Sequence, residues 1–352
     1  MPSKIPKPQD PAALSRRSLL RTGAAGAAAS LVPLSALAQT AGPTAAGSSK
    51  GTEHWAVKET GADRVRLYLW RKPAVTASGS AVKGTIIFVH GSSMASTPSF
   101  DLQVPGQPEY SVMDWFAARG YDTWCVDMEG YGKSDKKRAI NSDISTGADD
   151  IAAAARYIKG LTGAGKFLLY GISSGSLRVA LFAQRQPELV ERIVLDAFVW
   201  TGEGSRTLEQ RRKRLAEYEA SNRRKIDRNT VRSIFTRDHA DTADMAVVDV
   251  FADAVLALDD SVPTGTYVDM SKNLPIVDPL RIAAPTLILR GQYDGIAAFE
   301  DITSFFIKLP NSDKQLVVMA GIAHSSLHEK NHLLVNHAMH AFFSQPAPVY
   351  RG

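Results

Sequence analysis

Short apolar runs alternate with stretches of helical spacing along most of this chain. Residues 85–89, 122–127, 167–170 and 193–195 are nearly continuous apolar runs that stop at histidine, aspartate or glycine. Each reads as a buried strand. Residues 286–289 and 315–319 repeat the pattern near the C-terminus, and residues 54–57 and 65–70 read as two earlier, alternating strands. Between them the spacing predicts helices over 110–119, 144–161, 177–184, 299–309 and about 326–343. In the second of these, Ile144, Ala148, Ile151, Ala155 and Ile158 share one face. Such alternation predicts an α/β fold with a mostly parallel sheet covered on both faces. Residues just past the strands then share one rim, where ligands bind in open α/β sheets. Ser92, Asp127, Ser173, Asp196, Asp294 and His324 all follow strand ends and are expected near one another.

The alternation stops between Asp196 and Thr286. Roughly residues 200–279 read as helical or irregular and cannot be threaded as another strand–helix unit. The two halves of this stretch are oppositely charged. Residues 201–240 carry eleven Lys/Arg against six acids, and residues 241–280 carry eight Asp and one Lys. Two mutually complementary helical segments are the expected reading, and a basic funnel for an anionic substrate is the alternative.

Composition changes the picture at the N-terminus. The formal charge of +5 is concentrated in residues 1–38, which hold five Lys/Arg and one acid. The remainder is near neutrality, with 36 basic and 35 acidic residues, so nucleic-acid binding has no global electrostatic support. Arg16-Arg17 within Ser15–Leu20 resembles a twin-arginine motif. An Ala/Gly/Leu run and the small-x-small site Ala36-Leu37-Ala38 follow it. Residues 1–38 are therefore expected to be a signal peptide, with the export machinery as partner and a periplasmic or secreted location. Pro33 and its shortness argue against that run spanning a bilayer, so no stable membrane insertion is expected after cleavage. Residues 39–52 read as linker. The only cysteine, Cys125, excludes an intramolecular disulfide and reads as core.

The chemistry centres on Gly171-x-Ser173-x-Gly175, between an apolar strand and a helix. A tight strand-to-helix turn crowds the backbone and leaves no room for a Cβ at either glycine. It lifts the Ser173 hydroxyl above the sheet, next to a helix N-terminus whose free N–H groups favour negative charge. A second match, Gly47-x-Ser49-x-Gly51, has no strand before it and reads as linker. A serine needs a base of near-neutral pKa, and the base needs an acid to hold its tautomer. His324 is the expected base and Asp294 the expected acid. His324, His328 and His332 could bind a metal from one helix face, but no carboxylate or cysteine pattern completes that set. No metal or cofactor is expected.

The order Ser173, Asp294, His324 resembles the α/β-hydrolase superfamily, as do His90-Gly91, the Asp127-x-x-Gly130-x-Gly132 turn and the Gly291-x-x-Asp294 turn. The resemblance spans about residues 53–345. It implies a hydrolase core over 53–199 and 284–352, interrupted by a helical cap over 200–283. It implies Asp196, at the end of the earlier strand, as the alternative acid. It also implies an oxyanion hole from the backbone amides of Ser92 and Ser174. Tyr131, Phe198, Trp200 and Tyr293, near strand ends, are expected to line a covered pocket for a small ester. The resulting expectation is an exported serine hydrolase of small to medium, apolar or aromatic carboxylic esters. Cleavage of a C–C bond, lactone or amide by the same triad is one alternative, and a non-catalytic binding protein is the other.

Overall fold

The computed structural model describes residues 50–77 and 80–350. The expected signal peptide and most of the expected linker lie outside them. The first half of the core runs β1 (Thr52–Thr60), β2 (Asp63–Lys72), β3 (Thr85–Val89), α1 (Ser96–Phe100), α2 (Val112–Ala117), β4 (Asp122–Val126), α3 (Ile144–Thr162), β5 (Phe167–Ile172), α4 (Ser174–Arg185) and β6 (Val190–Asp196). An insertion follows, with α5 (Arg206–Arg212), α6 (Leu215–Glu219), β7 (Arg223–Lys225), α7 (Arg228–Thr236), α8 (Met245–Leu256), β8 (Ser261–Pro263) and α9 (Gly265–Val268). The core resumes with β9 (Thr286–Gly291), α10 (Phe299–Lys308), β10 (Lys314–Met319) and α11 (His332–Phe343).

Eight strands form one sheet in the order β1-β2-β4-β3-β5-β6-β9-β10. β1 and β2 pair antiparallel, as do β2 and β4, and every later pairing is parallel. This is the α/β-hydrolase fold. Successive side chains of a strand face opposite sides, so the apolar runs supply two cores. Ile87, Val89, Trp124 and Leu169 face one side with α3, α4 and α10. Ile86, Phe88, Cys125, Leu168 and Tyr170 face the other with α2 and α11. The register aligns the strand ends: Val89 sits opposite Gly171, Ile172 opposite Asp196, and Met319 opposite Gly291. The loops that follow β3, β5, β9 and β10 therefore leave the sheet on one rim.

Local chemistry sets the helix bounds. The Asp143 carboxylate accepts from the Thr146 amide at 2.7 Å to start α3, and Gly163 ends it at φ 75°. The last helix is shorter than the apolar spacing predicts. It begins at His332, because Glu329 accepts from the amides of Ala323 and Ser325 at 2.6 and 2.9 Å and winds that loop into a separate turn. The insertion contains a feature that spacing does not predict, the antiparallel ribbon of β7 and β8, which is only three residues a side. Strand β1 already begins at Thr52, the last residue assigned above to the linker.

The oppositely charged halves of the insertion meet on its outer face. Arg232 pairs with Asp249 at 2.7 Å, and Arg228 bonds both Asp249 and Asp253. On the inner side, Val231, Phe235, Val247 and Phe251 join the first core.

Candidate active site

Ser173 caps the turn between β5 and α4 at φ 57°, ψ −122°. A non-glycine residue holds such a backbone only where its surroundings over-determine it. Here they do. The Ser173 amide donates to Asp196 O at 2.9 Å, and Ser176 Oγ bonds the carbonyls of Gly171 and Asp196 at 2.7 and 2.6 Å. A Cβ on Gly171 would sit 2.4 Å from Gly175 O, and one on Gly175 would sit 2.2 Å from Val89 O. Both glycines are thus required by close backbone approach.

Three strand ends meet at this serine. His324, after β10, places Nε2 3.1 Å from Ser173 Oγ. Its Nδ1 lies 3.0 Å from each carboxylate oxygen of Asp294, which follows β9. A carboxylate only accepts, so Nδ1 carries the hydrogen and Nε2 is left to accept from the Ser173 hydroxyl. Burial resists ionisation of Asp294, but His324 and the amides of Ile296 and Ala297 outweigh it and hold the carboxyl below its ordinary range. Asp196 is not brought to His324. Its carboxylate accepts from Tyr170 Oη at 2.6 Å and from Ser326 Oγ, and burial pushes its pKa up to about 6.

Ser92 and Ser174 face each other across the turn, with Ser92 Oγ donating to Ser174 Oγ at 2.8 Å. Ser174 opens α4, so its amide has no partner within the helix. His90, just upstream, accepts from the Met128 amide at 3.1 Å and donates to Gly91 O at 2.8 Å. Burial takes its pKa down to about 3, which locks it neutral.

A narrow cavity, partly open to solvent, lies over Ser173 and His324. The core contributes Met94, Ile172 and Leu327, and the insertion covers it with Arg211, Ile234, Arg237, Phe251 and Tyr267. None of the four aromatic residues expected to line it does so. Tyr131 is buried behind the Ser92 loop, donating to Ser92 O at 3.2 Å, with its ring 4.7 Å from that of His90. Phe198 is a core residue against Phe305 at 4.6 Å, and Trp200 packs on the same ring while donating to Val277 O. Tyr293 stacks on His239 at 3.8 Å in a separate cleft. The lining from the insertion carried one sequence signal only, the excess of arginine in its first half.

The histidine row does not share a helix face. His328 is buried against Phe251 at 4.5 Å, and His332 stacks on Tyr110 at 4.1 Å. Donor atoms of Asp238, Asp294 and His324 do come within 4.8 Å of one another. They are already committed, since Arg237 bonds both oxygens of Asp238 at 2.7 Å and His324 faces Asp294.

A mostly parallel sheet with a serine on a glycine-flanked turn after β5 makes this chain an α/β-hydrolase. More narrowly, the chain belongs to the family described as serine aminopeptidase, S33 (Hydrolase_4), whose model matches residues 80–331. Similar solved structures include an esterase from Exiguobacterium antarcticum, with TM-score 0.62, 15% identity, and 84% of this chain and 100% of that chain covered. A thermophilic esterase from Thermogutta terrifontis has TM-score 0.60 and 17% identity, covering 83% of this chain and 97% of that one. A monoacylglycerol lipase from Paleococcus ferrophilus has TM-score 0.58 and 18% identity, covering 79% and 98%. These likenesses carry the fold. Among curated proteins, none matches the chain in sequence.

Proposed function

We propose that this protein is a serine hydrolase of small to medium carboxylic esters, with Ser173 as nucleophile, His324 as base and Asp294 as acid. The observation that carries this reading is the unbroken hydrogen-bonded line from Ser173 Oγ through His324 to Asp294. His324 Nε2 takes the hydroxyl proton as Oγ attacks the ester carbonyl, and Asp294 stabilises the imidazolium that results. The amides of Ser92 and Ser174 receive the developing oxyanion. Collapse expels the alcohol with the proton from His324, leaving an acyl-enzyme. Water, deprotonated by His324, then releases the acid and restores Ser173.

The insertion acts as a cap that makes the site a covered pocket. Esters with short acyl chains are therefore expected to be the best substrates, with activity falling as the chain lengthens beyond medium length. Comparing kcat/KM for butanoate, octanoate and hexadecanoate nitrophenyl esters tests this, alongside covalent labelling by a fluorophosphonate. A maximum at the longest chain, or activation at an oil–water interface, would replace the covered pocket with a mobile lid. Cleavage of an amino-terminal peptide bond, which the family description raises, is disfavoured by the same cavity. A substrate ammonium needs a carboxylate there, and among the described residues the lining holds arginines and no Asp or Glu.

Export is part of the proposal and rests on the sequence of residues 1–38. Replacing Arg16 and Arg17 with Lys is expected to retain precursor in the cell, and secreted protein is expected to begin at Gln39. N-terminal sequencing that finds Met1 on secreted protein would defeat this. Among the described residues, no helix is long and apolar enough to cross a membrane.

A further inference from the structure

Three arginines of the insertion gather near the cavity, Arg211 and Arg237 in its lining and Arg224 beside it, and their commitments differ. Arg237 is neutralised by its two bonds to Asp238. Arg224 is engaged with the loop after β3 through Nη2, donating to Ser92 O at 2.9 Å and Ser93 Oγ at 2.7 Å, while its Nε is buried without a partner. Arg211 has neither kind of partner. Its guanidinium lies 4.0 Å from the centre of the Tyr267 ring, and Arg224 lies at 4.0 Å from the same ring. One terminal nitrogen of Arg211, Nη1, is buried without a hydrogen-bond partner. The charged groups that bear on it most are Tyr267, Arg237, Arg224 and Tyr218, none of them a carboxylate. A guanidinium does not deprotonate, so this is a half-buried cation with one buried, unused donor, on a residue that lines the pocket.

Such a donor is costly unless something completes it. The pocket lining holds no carboxylate that could, since it contains no Asp or Glu among the described residues. Tyr267 registers the same positive surroundings. Burial pushes its hydroxyl up, yet Arg211, Arg224, Ser93 and Arg237 outweigh burial and bring it down to about 7. A carboxylate partner for Arg211 has to come from outside the chain. A planar guanidinium pairs best with a planar carboxylate, through two parallel hydrogen bonds.

We propose that the substrate is an acidic ester, one bearing a free carboxylate that docks on Arg211 while its ester carbonyl lies over Ser173. Half-esters of dicarboxylic acids are the simplest members of this class. The proposal rests on the hydrolase reading for the ester end and on the cavity wall for the carboxylate end. Arg211 is a specificity-determining residue in it. The outer ion pairs of the insertion leave this inner cation free, which is why the cap is basic where it faces the nucleophile.

A matched pair of substrates tests it: nitrophenyl butanoate and the nitrophenyl half-ester of glutarate. The wild-type protein is expected to prefer the half-ester in kcat/KM by about 10- to 100-fold, the worth of a charge-assisted hydrogen bond. In Arg211→Met that ratio is expected to fall close to one, and Arg211→Lys should recover part of it. Binding of free glutarate to Ser173→Ala, measured by calorimetry, is expected to weaken by a similar factor when Arg211→Met is added. Circular dichroism and melting temperature establish that each variant is folded. A wild-type ratio at or below one, or a preference that survives in folded Arg211→Met, overturns the acidic-ester class. Loss of turnover on both esters together with no fluorophosphonate labelling overturns the hydrolase reading instead. The glutarate titration then decides the anion site alone, and glutarate affinity unchanged by Arg211→Met removes it.

Discussion

Ser173→Ala is expected to lower kcat for a short nitrophenyl ester by roughly 10⁴- to 10⁶-fold, the range seen when a serine nucleophile is removed from an intact site. The loss should appear in kcat with little change in KM, because the hydroxyl acts on the reacting carbon and not on the bound ester. Folding should survive. Alanine keeps the Cβ and so the same backbone strain at φ 57°, while the bonds that pin the turn come from the Ser173 amide and from Ser176. Melting temperature and circular dichroism check that point. Ser49→Ala, in the other Gly-x-Ser-x-Gly match, is expected to leave the rate unchanged. Near wild-type turnover by Ser173→Ala would remove Ser173 from the nucleophile's role and require another group.

The sequence and the structure agree where the backbone pattern alone decides position. Continuous runs such as Thr85–Val89 can only be buried on both faces, and parallel strands put their ends on one rim. That suffices to bring Ser173, Asp294 and His324 together. Pocket lining depends instead on how the insertion folds back, and spacing does not encode that. An aromatic residue near a strand end looks the same whether it enters the core or the cavity. Phe198 and Trp200 go to Phe305, Tyr293 goes to His239, and Tyr267 and Phe251 come from the insertion to take the expected place. Charge was half legible for a similar reason. Opposite halves of the insertion do pair through Arg232 and Asp249, but composition cannot say which arginines turn inward. The spacing extends the final helix too far because Glu329, whose carboxylate ties down the amides of Ala323 and Ser325, looks in sequence like any surface glutamate of a helix.

Asp294→Asn should reduce kcat by about 10⁴-fold, and Asp196→Asn by no more than about tenfold. The asymmetry follows from what each carboxylate holds. Asp294 takes the Nδ1 hydrogen of His324 at 3.0 Å. An asparagine amide there can donate to Nδ1 instead, which moves the ring hydrogen to Nε2. That nitrogen then no longer accepts from Ser173 Oγ, 3.1 Å away, and the nucleophile has no base. Asp196 holds Tyr170 Oη and Ser326 Oγ, and an asparagine oxygen can accept from both. Its replacement should register in stability. The Asp196 pKa of about 6 is raised above the ordinary carboxylate value, so the folded state binds a proton that the unfolded state does not between about pH 4 and 6. Wild-type protein therefore gains stability from this group as pH falls through 6, whereas Asp196→Asn has no such proton to bind. Any advantage of the variant in melting temperature at pH 7 should shrink toward pH 5. Rates for both variants at saturating ester, with melting curves at pH 5 and 7, provide the check. A larger loss of kcat in folded Asp196→Asn than in Asp294→Asn would move the acid to the end of β6.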